Sequence, residues 1–201
     1  MATQKQRSDA TRSQLLKAFR NAFLKHGFEA TTTQQVLAQT GLSKGAMYHH
    51  FKSKTEIAEA IYRDESKSAI ERALKSVAAR QSPKDKLKMA CLAWMQEVRA
   101  PRVSKILFEI GPTALGTEKA KRIEDALSLK LISTLLDEAV ANGELSIRDT
   151  SLFAVFLNAL VAEAAQYTLR TGTSSDAALA DAIEALVRSV ENTAPDPPSW
   201  R

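Results

Sequence analysis

The sequence predicts an all-α protein: a three-helix helix-turn-helix head followed by a larger helical bundle, about nine helices in all. Three observations predict it. Apolar residues recur at helical spacing along nearly the whole chain. The seven glycines and six prolines sit mostly between segments of helix length. No stretch shows the apolar–polar alternation of a half-buried strand.

The elements follow in order. Leu15, Phe19, Ala22 and Phe23 share one face of a first helix that stops near Gly27. A short helix beginning near Thr33, whose hydroxyl is the candidate N-cap, carries Val36, Leu37 and Thr40, and Gly41 ends it. Ser43 caps a second short helix that buries Ala46, Met47 and Phe51. From Ser53 a connecting helix leads into the body. Pro83 and Pro101 sit where first helical turns suit proline. In 83–99, Leu87, Cys91, Trp94, Met95 and Val98 form one stripe; in 117–142, Ile123, Leu127, Leu131, Thr134 and Leu135 form another. The segment 149–170 is apolar over most of its circumference, and 176–192 repeats Leu179, Ala182, Ile183, Leu186 and Val190. Gly111-Pro112 and Gly116 are expected to break the chain. They make 108–120 the most irregular part of the body, a candidate mobile gate. The expected division is a head at 1–52, a body at 53–194 and a disordered proline-rich tail at 195–201.

Composition narrows the function. At 44% hydrophobic residues the 201-residue chain has enough apolar material for a core. It has no uninterrupted apolar run long enough to span a membrane, and its polar N-terminus is no secretory signal. One cysteine, Cys91, excludes an internal disulfide framework, and a cytoplasmic setting is expected. Charge is uneven. Residues 1–55 hold nine Lys and Arg against Asp9 and Glu29, a net +7, whereas the rest hold 19 against 21, a net −2. A basic head on a slightly acidic body suits a polyanionic partner, although a solvated lysine-rich surface reads the same way.

The stretch GLSKGAMYHHF, 41–51, decides among chemistries. A phosphate-binding P-loop needs a strand before its glycines, and none precedes Gly41. His49 and His50 are adjacent, so on a helix they diverge by about 100° and cannot converge on a metal. Helix, glycine turn, helix remains. Its second helix turns Lys44, Gly45, Tyr48 and His49 outward.

Residues 30–54 resemble the DNA-binding signature of tetracycline-repressor-like (TetR/AcrR) transcriptional regulators. The match runs through Gly41, Leu42, Ser43, Lys44, Gly45, Met47, Tyr48, His50, Phe51, Lys52, Ser53 and Lys54. With the first helix it covers about a quarter of the chain. One departure is Leu37, where the family usually has a small residue. The resemblance implies double-stranded DNA contacts by Thr32, Thr33, Ser43, Lys44, Gly45, Ala46, Tyr48, His49 and Lys54. Tyr48 and Lys54 would hold phosphates, and Lys44, Ala46 and His49 would meet groove edges. Lys5, Arg7 and Arg12 are a candidate arm for an adjacent minor groove, with a merely disordered segment as the alternative.

One head grips few phosphates, so two heads about 34–36 Å apart are expected, and with them a homodimer seated on 149–170 and 176–192. The resemblance further implies an unknown small-molecule effector. Candidate lining residues are Trp94, Met95, Phe108, Leu131, Leu135, Phe153, Phe156, Asn158, Glu163 and Tyr167, any of which also suits plain core or surface. For Glu163, solvent, Arg99, Arg170 or a partner subunit stand open beside a ligand. No cofactor, metal or membrane partner is implied. The expected protein is therefore a ligand-responsive, operator-binding repressor and not an enzyme. The alternatives are a helical carrier or enzyme with an inactive head, and an effector-independent regulator or activator.

Overall fold

In the computed structural model, residues 3–77, 82–172 and 176–190 are described. They form nine helices and no strand element. These are α1 (Gln4–Ala30), α2 (Thr33–Thr40), α3 (Lys44–His50), α4 (Lys54–Lys75), α5 (Pro83–Glu97), α6, α7 (Thr117–Ala141), α8 (Thr150–Thr171) and α9 (Asp176–Arg188). Helix α6 is continuous: α-helix over Pro101–Ser104, π-helix over Lys105–Ile110 and α-helix over Gly111–Leu115. The expected tail at 195–201 and the end of the expected 176–192 helix lie outside the described residues.

By packing, the chain divides into two compact units that interleave in sequence: residues 1–70 with 98–125, and residues 71–97 with 126–201. In the first, Leu15, Phe19 and Phe23 of α1 are buried with Val36, Met47, Phe51, Ile57 and Ile61. The rings of Phe19, Phe23 and Phe28 pack in succession at tilted angles, with centroids 5.8 and 5.5 Å apart. In the second, Leu87, Cys91 and Met95 of α5 are buried together with Leu136 and Ala139 of α7, Leu157 and Val161 of α8, and Ile183 and Val187 of α9. Burial pushes the Cys91 thiol up to about 12, so it behaves as a small core hydrophobe.

The expected break at Gly111-Pro112 does not occur. The helix passes through both residues, and Gly111 has ordinary helical angles (φ −60°, ψ −57°). The physical reason is twofold. The π turn just before Pro112 widens the helix where a proline ring would otherwise strike a carbonyl. Gly111 is there for close approach: a Cβ on it would lie 2.2 Å from Cδ2 of Tyr62. The π segment packs on α1. Beside it Glu65, only 2% exposed, accepts from Arg102 at 2.9 Å and lies 3.9 Å from Arg20 of α1. A buried carboxylate held by two guanidiniums fixes α1, α4 and α6 in one arrangement.

Helix α8 buries one stripe, Ala154, Leu157, Val161, Ala165 and Thr168, and leaves Leu152, Val155, Phe156 and Tyr167 exposed. Asp149 caps its start, accepting from the Leu152 amide at 2.9 Å. By length and composition α8 is long and apolar enough to cross a membrane, although its longest uninterrupted apolar run, 152–157, is six residues. Helix α5 covers part of its buried stripe.

Candidate nucleic-acid interface

The head is built from local rules. Gly27 turns out of the helical region (φ 80°, ψ 170°) and kinks α1 before its last residues. The cap of α2 is Thr32, one residue earlier than expected. Thr32 Oγ1 accepts from the Gln35 amide at 3.3 Å, and Gln35 Oε1 accepts from the Thr32 amide at 3.4 Å, a capping box that the Thr33 reading overlooked. Gly41 ends α2 in the left-handed region (φ 69°), where its N–H donates to the Leu37 carbonyl. Ser43 Oγ then accepts from the Ala46 amide at 3.0 Å and starts α3. The Gln14 side-chain amide donates to the Thr40 carbonyl at 3.3 Å, tying α1 to the end of α2. Nothing in the sequence pattern marks Gln14 for that role.

These constraints give α3 one buried and one open face. Met47 and Phe51 face the core, and Leu37 is taken into it as well. Ser43, Lys44, Gly45, Tyr48 and His49 are exposed, and Ala46 is half-buried. Tyr48 is 51% exposed, with the Lys44 ammonium 5.9 Å from its ring centroid, so a cation and a phenol share the outward face. The His49 and His50 rings meet edge to face at 5.0 Å. Among the described residues no group of three His, Cys, Asp or Glu is placed to hold a metal. The candidate arm is helical. Residues from Gln4 onward are helical, with a capping box between Thr3 and Gln6. Lys5, Arg7 and Arg12 therefore project from α1, and the Arg12 guanidinium lies over the Phe51 ring at 5.2 Å. The local cap holds this polar segment in the helix.

Two predicted contacts have internal partners. The Thr32 hydroxyl donates to Gln35 at 2.9 Å. The Lys54 ammonium donates to the carbonyls of Phe28 at 2.8 Å and Thr31 at 3.0 Å. Thr33 is half-exposed at the first position of α2.

The candidate effector residues separate. Met95 and Leu135 are buried, and Trp94, Leu131, Phe153 and Asn158 are half-buried, all in the unit of residues 71–97 and 126–201. Phe108 is half-buried in the π segment of the other unit. Phe156 and Tyr167 stand outward, 57% and 50% exposed, and Glu163 is exposed in an ion pair with Arg170 at 3.1 Å. One apolar helix thus divides between interior and surface in a way that its composition did not show.

An exposed cationic helix face presented by a capped helix-turn-helix defines a DNA-binding module. Residues 15–61 match the bacterial regulatory proteins of the tetR family, and residues 84–192 match the tetracyclin repressor-like C-terminal domain. The chain belongs to the TetR family and is a DNA-binding transcriptional regulator of the all-α fold. It is 25% identical over 143 residues to the transcriptional repressor KstR2 of Mycolicibacterium smegmatis, 66% of each chain. It is 34% identical over 56 residues to the repressor AcnR of Corynebacterium efficiens, 28% of this chain and 30% of that one. The chain thus spans just under two thirds of the first of these curated relatives and under a third of the second. A TetR-family regulator from Pectobacterium atrosepticum has the same fold, with a TM-score of 0.76 at 23% identity, over 96% of this chain and 99% of that one. So does RolR, solved in complex with resorcinol, with a TM-score of 0.69 at 17% identity, over 94% and 91% of the two chains.

Proposed function

We propose that this regulator is a homodimeric repressor in the cytoplasm that binds an inverted-repeat operator through two copies of α3 and releases it when a small molecule enters the body. The observation that carries the reading is the open face of α3. Lys44, Gly45, Tyr48 and His49 are exposed there beside the capping Ser43 and the half-buried Ala46, and these small, cationic and phenolic groups suit phosphates and groove edges. Thr33 adds a hydroxyl at the start of α2.

Dimerisation is supported by the exposed side of α8. Leu152, Val155, Phe156 and Tyr167 place large apolar groups in water on one helix. A row of this kind calls for a partner surface. The small exposed residues Ala178, Ala182 and Ala185 of α9 would let a second copy approach closely. Two heads held by one dimer then read two half-sites a helical turn apart. Effector binding is supported by RolR, a protein of the same fold whose structure holds resorcinol. Here Trp94, Met95, Leu131, Leu135, Phe153 and Asn158, from α5, α7 and α8, are the candidate lining, with Asn158 as the polar group among apolar ones.

The test is selection of bound sequences from random duplex DNA by the purified full chain at two salt concentrations. An inverted repeat whose binding weakens steeply with salt is the expected result. Absence of any enriched sequence, with weak binding that Lys44→Ala and Tyr48→Phe leave unchanged, would sink it. The selected duplex then serves as the probe for small molecules that release it.

A further inference from the structure

Helix α8 carries two regular stripes. The inner one is core. The outer one runs through Leu152, Phe156, Ala159, Glu163, Gln166 and Arg170, at alternating steps of four and three residues, and every member is exposed. That alternation is the spacing of a coiled-coil seam. The two halves of the seam differ in chemistry. Its first three positions are apolar. Its last three are an acid, an amide and a base, and the Arg170 guanidinium donates to the Glu163 carboxylate at 3.1 Å.

Within one chain this ion pair does little. Residues seven apart are separated by about 10.5 Å along the axis, so both side chains must lie along the helix to meet. The pairs that support a helix are three or four apart. Here the side chains are 66% and 59% exposed, and an exposed pair of long side chains contributes almost nothing after its ordering cost.

Against a second copy the same two charges are self-complementary in one orientation. Two α8 helices laid antiparallel, with the two-fold axis between Gln166 and Tyr167, set Glu163 of each opposite Arg170 of the other. An isologous contact of one residue with another is repeated in reverse, so the axis generates two such pairs. Laid parallel, the helices would set Glu163 against Glu163 and Arg170 against Arg170, and like charges repel. The antiparallel arrangement also carries each apolar half past the Gly172 end of the other α8, to the side where the α9 of that copy starts. There the exposed Ala178, Ala182 and Ala185 leave room for Leu152 and Phe156.

We infer that Glu163 and Arg170 are the partner-selecting residues of this face: they exchange one pairing within a helix for two across a dyad, so that α8 accepts a second copy of this chain in a single orientation. This inference rests on the homodimer proposed above. Apolar burial supplies the affinity, and the charges reject partners and registers that leave them unmatched.

Charge exchange in the full-length chain tests it. Glu163→Arg, Arg170→Glu and the double variant are compared with wild type, each checked for folding by circular dichroism. Dimer dissociation is measured by analytical ultracentrifugation, and pairing in mixtures by native mass spectrometry of differently tagged chains. Mixing is done at 0.15 M salt, where screening over about 8 Å suppresses attraction between distant charges. Each single variant sets like charges across the axis and is expected to weaken its own dimer about tenfold or more. The double variant restores opposite charges and should return to within about threefold of wild type. Glu163→Arg mixed with Arg170→Glu should form the heterodimer in preference to either homodimer, because both cross pairs are then matched. A wild-type dimer that the single variants leave unchanged would overturn the inference and spare the dimer. Single variants that weaken the dimer, without recovery in the double variant and with random pairing in the mixture, would overturn it as well. A wild-type chain that stays monomeric would sink the dimer and the selecting pair together.

Discussion

Replacing Gly45 by alanine separates what the fold needs from what the DNA needs. Gly45 lies in the first turn of α3 and is not among the glycines with positive φ. A Cβ placed on it meets only Ser43 Oγ, at 3.8 Å, an ordinary van der Waals distance. Nothing inside the protein requires glycine there, and helical glycine costs about 0.5–1 kcal/mol relative to alanine. Gly45→Ala is therefore expected to stabilise the chain by about that amount, raising the melting temperature by about 1–4 °C for a chain of this size. The added methyl points from the open face of α3. If the backbone there packs against a groove edge, overpacking costs about 1–3 kcal/mol, a roughly 5- to 150-fold loss of operator affinity. Thermal melting and fluorescence anisotropy on the selected duplex, run on the same preparations, measure the two effects. Opposite signs support the interface. A variant that melts higher and binds as well as wild type would refute the close approach and move the contact away from the start of α3.

Three further outcomes are expected. Gly111→Ala drives a methyl to 2.2 Å from a Tyr62 ring that is itself buried, so it should destabilise by about 1–3 kcal/mol or more; Tyr62→Leu in the same chain should recover part of the loss in a thermal melt, and additive losses would contradict the clash. Burial holds the Glu124 carboxyl above its usual 4.5, against opposing hydrogen bonds from Ser66 (2.8 Å) and Tyr62. A raised folded-state value means stability that is complete below about 4.5 and is lost as pH rises through the folded value. Denaturant titrations of Glu124→Gln, whose amide oxygen still accepts from Ser66, should thus show a flatter pH dependence above that point; an unchanged profile would remove Glu124 as its source. Phe156→Asp puts a charge on the exposed face of α8, and light scattering on the eluting protein should show dimer shifting to monomer with weaker operator binding; an unshifted dimer would place the interface elsewhere.

Much of the head was legible because its rules are local. A left-handed glycine at 41, a hydroxyl cap at 43 and apolar residues at helical spacing act within a few residues of one another. The cap of α2 was misplaced by one residue because three threonines in a row offer the same hydroxyl, and only the reciprocal bond with Gln35 chooses Thr32. The polar N-terminus read as an arm because polarity is not order; the Thr3–Gln6 capping box makes it helix.

The sequence by itself determined the helical class, the helix-turn-helix, the basic bias of the head and the family. Each rests on residue type and short spacing, which no distant packing can reverse. The tertiary structure decided what depends on residues far apart in the chain. It set Lys54 on carbonyls 23 to 26 residues away, Glu65 between Arg20 and Arg102, and Gly111 against Tyr62. It also chose which apolar residues of α8 became core and which were left outside. A helix that is apolar all round carries no periodic mark of its inward face. Only the neighbour that covers it supplies one.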